Sequence, residues 1–191
     1  MHASYYAPCA QQKGKMKKIT PLLLLASALL PGCRAPSPDV GSHYDAIAHV
    51  RTDLIPENLI EAPGPTRELL WLNAIRISKD REEPSFHLEV QYAARSEAGL
   101  LDIRPGSSLV ITADGTELQF AGSGSLNRRS EKKGLVSEQA IYECTAADIS
   151  RIANAAKVTV RVVGERGILS RDFGPENFVR FRKFATQFAG G

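Results

Sequence analysis

Three observations on the sequence predict a mainly β fold, a β-sandwich-like arrangement of antiparallel sheets with six or seven strands. Apolar residues recur with a period of two in several segments between residues 67 and 173, as in half-buried strands. Turn-forming pairs such as Asp114-Gly115 separate these segments. Within residues 67–191, only two stretches have helical spacing, a short crossover helix and a C-terminal amphipathic helix. A chain of 191 residues is long enough for one domain with accessory segments.

The strands follow one another through a β-rich domain predicted for residues 67–191. The first has apolar side chains on both faces, whereas the second alternates apolar and polar residues as a half-buried strand does. Asp114-Gly115 is expected to close a hairpin because this pair adopts the positive φ angles of a tight turn. The predicted strands are residues 69–77, 86–92, 109–113, 116–121, 136–144, 158–162 and 168–173.

Two helices are predicted between and after these strands. Thr145 and Asp148 have the spacing of a capping box, which opens a short helix through Ala156. The second helix begins at Pro175, since proline suits the first helical position. One broad side of it is apolar, and we expect that side to cover an edge or open end of the sheet. This side carries Phe178, Phe181, Phe184, Ala185 and Phe188.

The segment before the domain has the order of a secretory signal over residues 16–32. Lys17 and Lys18 precede an apolar run at residues 19–30, and small, turn-forming residues lead to Cys33. The run is about a dozen residues, whereas a membrane-spanning helix needs roughly 20. Residues 1–15 fit no signal pattern, so we interpret them as an upstream extension and Met16 as the true start.

The tetrapeptide Leu30-Pro31-Gly32-Cys33 resembles the lipobox of bacterial lipoproteins, with proline as its less usual residue. The resemblance implies cleavage before Cys33, a diacylglyceryl thioether on its thiol and acylation of the new amino group. Several acyl chains give stable membrane anchoring. By the same resemblance, Arg34 favours the outer membrane, facing the periplasm, if the host is Gram-negative. The alternative is an ordinary secretory leader that a cysteine happens to follow.

Residues 33–66 are interpreted as the lipidated cysteine and a proline-rich tether that lifts the domain off the membrane. Within the tether, residues 43–54 have the spacing of a short helix, with Ile47, Val50 and Leu54 on one side.

Charge gives no support to nucleic-acid binding. The formal net charge is +3, but residues 1–33 contain four lysines and no acid. The remaining residues therefore carry 20 basic against 21 acidic side chains, a balance of −1.

Motifs for catalysis and metal binding are missing from the sequence. After Cys33 the single cysteine is Cys144, which ends an apolar alternation and is expected to be buried as a small hydrophobe. His43, His49 and His87 do not have the spacing of metal ligands. The sequence therefore predicts a protein that is not an enzyme, with no catalytic residues, no metal and no cofactor.

One segment is singled out as a candidate binding site. Residues 121–134 (AGSGSLNRRSEKKG) are long for a hairpin connection, and their glycines and serines predict a flexible loop. The basic residues in this loop point to an anionic partner, such as a lipid head group, an anionic polymer or an acidic protein; the alternative is a solvated charged loop. They are Arg128, Arg129, Lys132 and Lys133.

These observations favour a membrane-anchored lipoprotein that displays a periplasmic binding or assembly domain. Its expected partners are the membrane, through acyl chains on Cys33, and an envelope protein or anionic envelope component. One alternative is an enzyme with a site assembled from separated residues, such as His87, Cys144 and a carboxylate. The other is a purely structural envelope protein that forms homo-oligomers through its C-terminal helix.

Overall fold

The computed structural model describes residues 40–190, which form eleven strands and two helices. The elements are β1 (Gly41–Asp45), β2 (Val50–Leu54), β3 (Leu59–Ile60), β4 (Glu68–Lys79), β5 (Ser85–Arg95), β6 (Gly106–Ala113), β7 (Thr116–Gly122), β8 (Arg129–Lys132), β9 (Leu135–Cys144), α1 (Ala146–Asn154), β10 (Val158–Gly164), β11 (Gly167–Asp172) and α2 (Pro175–Phe188). All strand pairs are antiparallel. The mainly β prediction is confirmed, and each of the seven predicted strands is present.

The strands make one sheet in the order β1-β2-β4-β5-β9-β7-β6-β10-β11, with β3 beside β4 and β8 beside β9. Its two halves meet at a single residue pair, Gly122 with Tyr142. A Cβ atom on Gly122 would lie 2.5 Å from the carbonyl oxygen of Ile141 and 2.6 Å from the Tyr142 ring. Only glycine fits this crossing, because no side chain has room there.

Both halves of the sheet contribute to one hydrophobic core, which the two helices complete. Along β10 the alternation is regular, with Val158, Val160 and Val162 all buried. The turn between β6 and β7 has positive φ at both central residues, 48° at Asp114 and 83° at Gly115, as the sequence predicted. Buried side chains of the core include Leu72, Val90, Tyr142, Ile111, Leu169, Ile149, Ile152 and Phe181.

The helix starts were predicted correctly. The Thr145 hydroxyl accepts a hydrogen bond from the Asp148 backbone N–H (3.1 Å), and the Asp148 carboxylate accepts one from the Thr145 N–H (2.9 Å). The second helix begins at Pro175, and its Phe181 and Phe184 are fully buried. Its apolar side therefore packs into the core of this chain.

The helix predicted over residues 43–54 is wrong. These residues form the β1–β2 hairpin, and β2 pairs with β4, so the sheet includes residues that were assigned to the tether. Asp45 closes the hairpin turn by accepting hydrogen bonds from the N–H groups of Ile47 (2.9 Å) and Ala48 (3.0 Å). Ile47, expected on an apolar helix side, is 94% exposed at this turn.

The signal, Cys33 and the first part of the tether lie outside the described residues. Within residues 40–190, neither helix has the length and apolar character that crossing a bilayer requires.

Candidate functional site

The candidate site lies on the outer face of the first half of the sheet, the face of β4, β5 and β9 that is turned away from the core. The strand register places Trp71 opposite Gln91, and Gln91 opposite Gln139. Directly opposite residues lie on the same face, so these three side chains form a row across the strands. The next row is Leu69, Ala93, Ser137 and Ser130, in strand order.

These two rows enclose a shallow groove of about 470 Å³. The depression forms where the side chains are small, since Ala93 lies between Leu69 and Ser137 in its row. Trp71 is half-buried at one end, and β8 borders the other end. We call this the outer-face groove; its lining includes Trp71, Gln91, Ala93, Arg128, Ser130, Ser137 and Gln139.

A carboxylate beside the groove fixes its amide side chains. Glu89, on the same face of β5, is only 9% exposed. It accepts hydrogen bonds from the side-chain amides of Asn73 (2.9 Å), Gln91 (2.8 Å) and Gln139. Each of the three amides is held in one orientation, so the polar wall of the groove is preorganised.

The segment of residues 121–134 is not the flexible loop that its composition predicted. Its second half is strand β8, paired with β9. Its first half is anchored by Ser125, which is fully buried and donates to the Glu138 carboxylate. Glu138 also accepts from the backbone N–H groups of Asp102 (2.8 Å) and Ile103 (2.9 Å). A buried carboxylate with three donors therefore ties three segments together.

The four basic residues of this segment have different roles. Arg129 points inward, where it forms an ion pair with Asp102 and donates to Ser125 (3.3 Å), so it serves the fold. Arg128 is exposed and donates a hydrogen bond to the side-chain oxygen of Gln139 (3.3 Å) at the rim of the groove. Lys132 and Lys133 are exposed and have no ion-pair partner among residues 40–190. Three cations thus remain available to a ligand.

Of these three cations, Arg128 lines the groove itself, and the two lysines lie near it. Lys132 lies opposite Leu135, and Ser130 lies opposite Ser137, so Lys132 shares the face of the groove. Lys133 follows in the β8–β9 turn, where it and Gly134 have positive φ angles of 53° and 75°. The outer-face groove therefore combines an aromatic side chain, fixed amides and the Arg128 guanidinium, with Lys132 farther along the same face.

The residues considered for a catalytic site lie apart. Cys144 is on the core side of β9, whereas His87 is on the outer face of β5, where its Nε2 lies 3.0 Å from the Ser85 hydroxyl oxygen. Burial, with a smaller contribution from Asp148, raises the pKa of Cys144 to about 12. Its thiol is thus poorly suited to nucleophilic chemistry.

The other two histidines lie near the tip of the β1–β2 hairpin. His49 Nδ1 is 3.2 Å from the Tyr44 hydroxyl and 3.6 Å from the Asp80 carboxylate, while His43 lines the same shallow cavity. Across residues 40–190, no group of three or more His, Cys, Asp or Glu side chains is placed to hold a metal ion.

Sequence reasoning singled out the basic residues as candidates, but it did not single out Trp71, Gln91 and Gln139. Alternation along each strand assigns them to the face opposite the core, which is a usable signal. The pattern does not tell which strands are neighbours or which residues stand opposite each other. No family model, curated protein or solved structure matches this chain.

Proposed function

We propose that this chain is a lipid-anchored protein of the bacterial cell envelope whose domain binds an anionic partner and is not an enzyme. The anchor is Cys33, on the strength of the lipobox resemblance at residues 30–33. By the same resemblance, the protein faces the periplasm from the outer membrane of a Gram-negative host. Binding, and not catalysis, is the activity that we assign to residues 40–190.

One observation carries the binding half of the proposal. Arg128 lines the outer-face groove, and Lys132 and Lys133 lie near it at the end of β8. All three are exposed and have no ion-pair partner among the described residues, whereas Arg129 is held by Asp102. Cations without an ion-pair partner, beside a half-buried aromatic side chain and fixed amides, supply charge, contact area and orientation to a partner.

Two further observations weigh against the alternatives. A site using His87 and Cys144 would have to reach both sides of the sheet, since the two side chains lie on opposite faces. A homo-oligomer through the C-terminal helix would need an exposed phenylalanine side, but Phe181 and Phe184 are fully buried in this chain.

The test uses the full chain, purified in a neutral detergent, with poly-L-glutamate as the anionic probe. Replacing Arg128, Lys132 and Lys133 by glutamine should weaken binding about tenfold at low salt, because three attractive charges are lost. The matched control is the triple variant Arg151→Gln, Lys157→Gln and Arg166→Gln, which removes the same charge from exposed positions elsewhere. Equal losses in both triple variants, or no binding by the wild type, would refute the binding proposal.

The anchor is tested in bacterial cells that produce the protein and are fed an alkyne-tagged fatty acid. The wild type should incorporate the tag and sediment with membranes, while Cys33→Ser should do neither. Tag on the Cys33→Ser variant, or none on the wild type, would overturn the lipidation proposal independently of the binding result.

A further inference from the structure

The outer-face groove is open, so its ligand must bind through a surface contact. Its lining combines the small side chains of Ala93, Ser130 and Ser137 with the larger side chains of Trp71 and Gln139. A groove of this shape runs across β4, β5, β9 and β8, perpendicular to the strands. It therefore suits an elongated ligand better than a compact one.

An extended peptide is a poor match, because peptides usually add to a sheet through unpaired backbone groups. At the groove, β5 is paired with β4 on one side and with β9 on the other. The backbone hydrogen bonds there are made within the sheet, and only side chains face outward. Recognition over β4, β5 and β9 is therefore through side chains, and the strand paired on one side only is β8, at the end of the groove.

Trp71 supplies an apolar surface with one polar atom. It is half-buried, and its indole N–H has no acceptor among residues 40–190. This N–H is open to solvent, so it can donate to an acceptor on an incoming ligand. The ring provides a flat contact for a ligand with an apolar face.

The amides next to Trp71 offer hydrogen-bonding groups in fixed positions. Gln91 uses its amide nitrogen for Glu89, which leaves its carbonyl oxygen as an acceptor. Ser130 and Ser137 make no side-chain hydrogen bond within residues 40–190, so both hydroxyls are available. Groups that are already ordered lose less entropy on binding than free side chains do.

We propose that the outer-face groove binds an acidic saccharide chain. A pyranose ring has an apolar C–H face, which matches the Trp71 ring, and a rim of hydroxyls, which matches Gln91 and the two serines. A carboxylate on the sugar pairs with Arg128, whose planar guanidinium can make two parallel hydrogen bonds. This inference rests on the proposed binding function and names its ligand class.

The experiment uses oligogalacturonate, a chain of acidic sugars, with two comparison probes. Its methyl ester keeps the sugar and removes the charge, and poly-L-glutamate keeps the charge and removes the sugar. The chain contains a single tryptophan, so its emission reports contact at Trp71 directly. We expect oligogalacturonate to shift and quench this emission, the ester to bind more weakly, and poly-L-glutamate to leave the emission unchanged.

Variants locate the site through the anisotropy of fluorescein-labelled oligogalacturonate, a readout that does not need the tryptophan. Trp71→Leu should weaken binding about tenfold or more, since buried aromatic anchors carry most of the affinity of an interface. Arg128→Gln should weaken it less, and mostly at low salt. Tyr44→Leu is the matched control, because Tyr44 is an exposed aromatic side chain at the β1–β2 hairpin. The thermal midpoint of each variant shows whether it is folded.

The outcomes separate the two proposals. Poly-L-glutamate binding that needs the three cations, together with an unchanged affinity of folded Trp71→Leu for oligogalacturonate, would overturn the saccharide inference and keep anion binding. Equal affinity for the ester would overturn the acidic part of the inference. If neither oligogalacturonate nor poly-L-glutamate binds, both proposals fail.

Discussion

Glu89 and Glu138 lie on neighbouring strands and have the same number of hydrogen-bond donors, yet they serve different purposes. Glu138, on the core side of β9, is 2% exposed and accepts from two backbone N–H groups and the Ser125 hydroxyl. Glu89, on the outer face of β5, accepts from three side-chain amides. Backbone donors are fixed by the fold, whereas side-chain amides can turn over. Glu138 therefore holds segments of the chain in place, whereas Glu89 orders side chains on a surface.

The largest loss of unfolding free energy is expected from Glu138→Gln, which tests the role of Glu138 in the fold. The N–H of Asp102 donates to one carboxylate oxygen, and the N–H of Ile103 donates to the other. A glutamine offers one oxygen and one NH₂ group, so one buried backbone N–H loses its acceptor. We expect unfolding free energy to fall by about 3 kcal/mol, the order of a lost charged hydrogen bond plus an unsatisfied donor.

Urea denaturation followed by far-UV circular dichroism measures this loss. Ser137→Ala, on the neighbouring exposed position of β9, is the control and should cost little. A loss below about 1 kcal/mol for Glu138→Gln would mean that water or a shifted loop replaces the acceptor.

Asp53 adds an intermediate case, in which two of the three donors are charged. It is fully buried and accepts from the Ser42 hydroxyl, Arg51 (2.9 Å) and Arg76 (3.0 Å). Burial would raise the pKa of Asp53, but the hydroxyl and the two guanidiniums outweigh it and lower the pKa below its ordinary value of 3.8. Asp53→Asn should cost about 2 kcal/mol at pH 7, because both arginines lose their carboxylate while keeping partial access to water.

The pH dependence of this effect has a definite sign. A lowered pKa means that the folded state binds the proton less well, so the stabilisation is complete above pH 3.8 and is lost as the pH falls through the lower folded-state value. Wild type and Asp53→Asn should therefore differ most near neutral pH and converge in strong acid. Urea midpoints measured from pH 7 down to pH 2 test this, and a constant difference would contradict the assigned cause.

The sequence predicted those parts of the fold that a few neighbouring residues determine, and it did not predict those that depend on contacts between distant segments. Alternation located the strands, and the Asp114-Gly115 turn and the Thr145 cap were confirmed because a few neighbouring residues determine them. The hairpin of residues 41–54 was missed because its short strands lack a clear period of two and lie in a proline-rich region. These residues are extended through the pairing of β1 with β2 and of β2 with β4.

The candidate site shows the same division. Composition drew attention to residues 121–134, but it could not reveal that Arg129 belongs to Asp102 or that Ser125 is held by Glu138. Those contacts join segments that are far apart in the chain. The outer-face groove depends on β5 lying beside β9, a pairing that strand alternation does not predict.

The smallest effect on stability is expected from Glu89→Gln, which makes the same chemical change as Glu138→Gln on the opposite face. Asn73 and Gln91 donate to one oxygen of Glu89, so a glutamine that keeps this oxygen keeps both bonds. Its NH₂ group then faces Gln139, whose amide can turn over and present its own oxygen as an acceptor. We expect a loss of at most about 1 kcal/mol, because the three amides around residue 89 keep a partner and only the exposed Arg128 loses its acceptor to water.

That rearrangement changes the groove more than it changes the fold. In the wild type, the side-chain oxygen of Gln139 accepts a hydrogen bond from Arg128. Turning the amide over removes this acceptor and frees the guanidinium. Oligogalacturonate affinity should then shift by about threefold, whereas the urea midpoint stays close to that of the wild type. A stability loss as large as that of Glu138→Gln would contradict the different roles assigned to the two residues. It would mean that Glu89 supports the fold as strongly as Glu138 does.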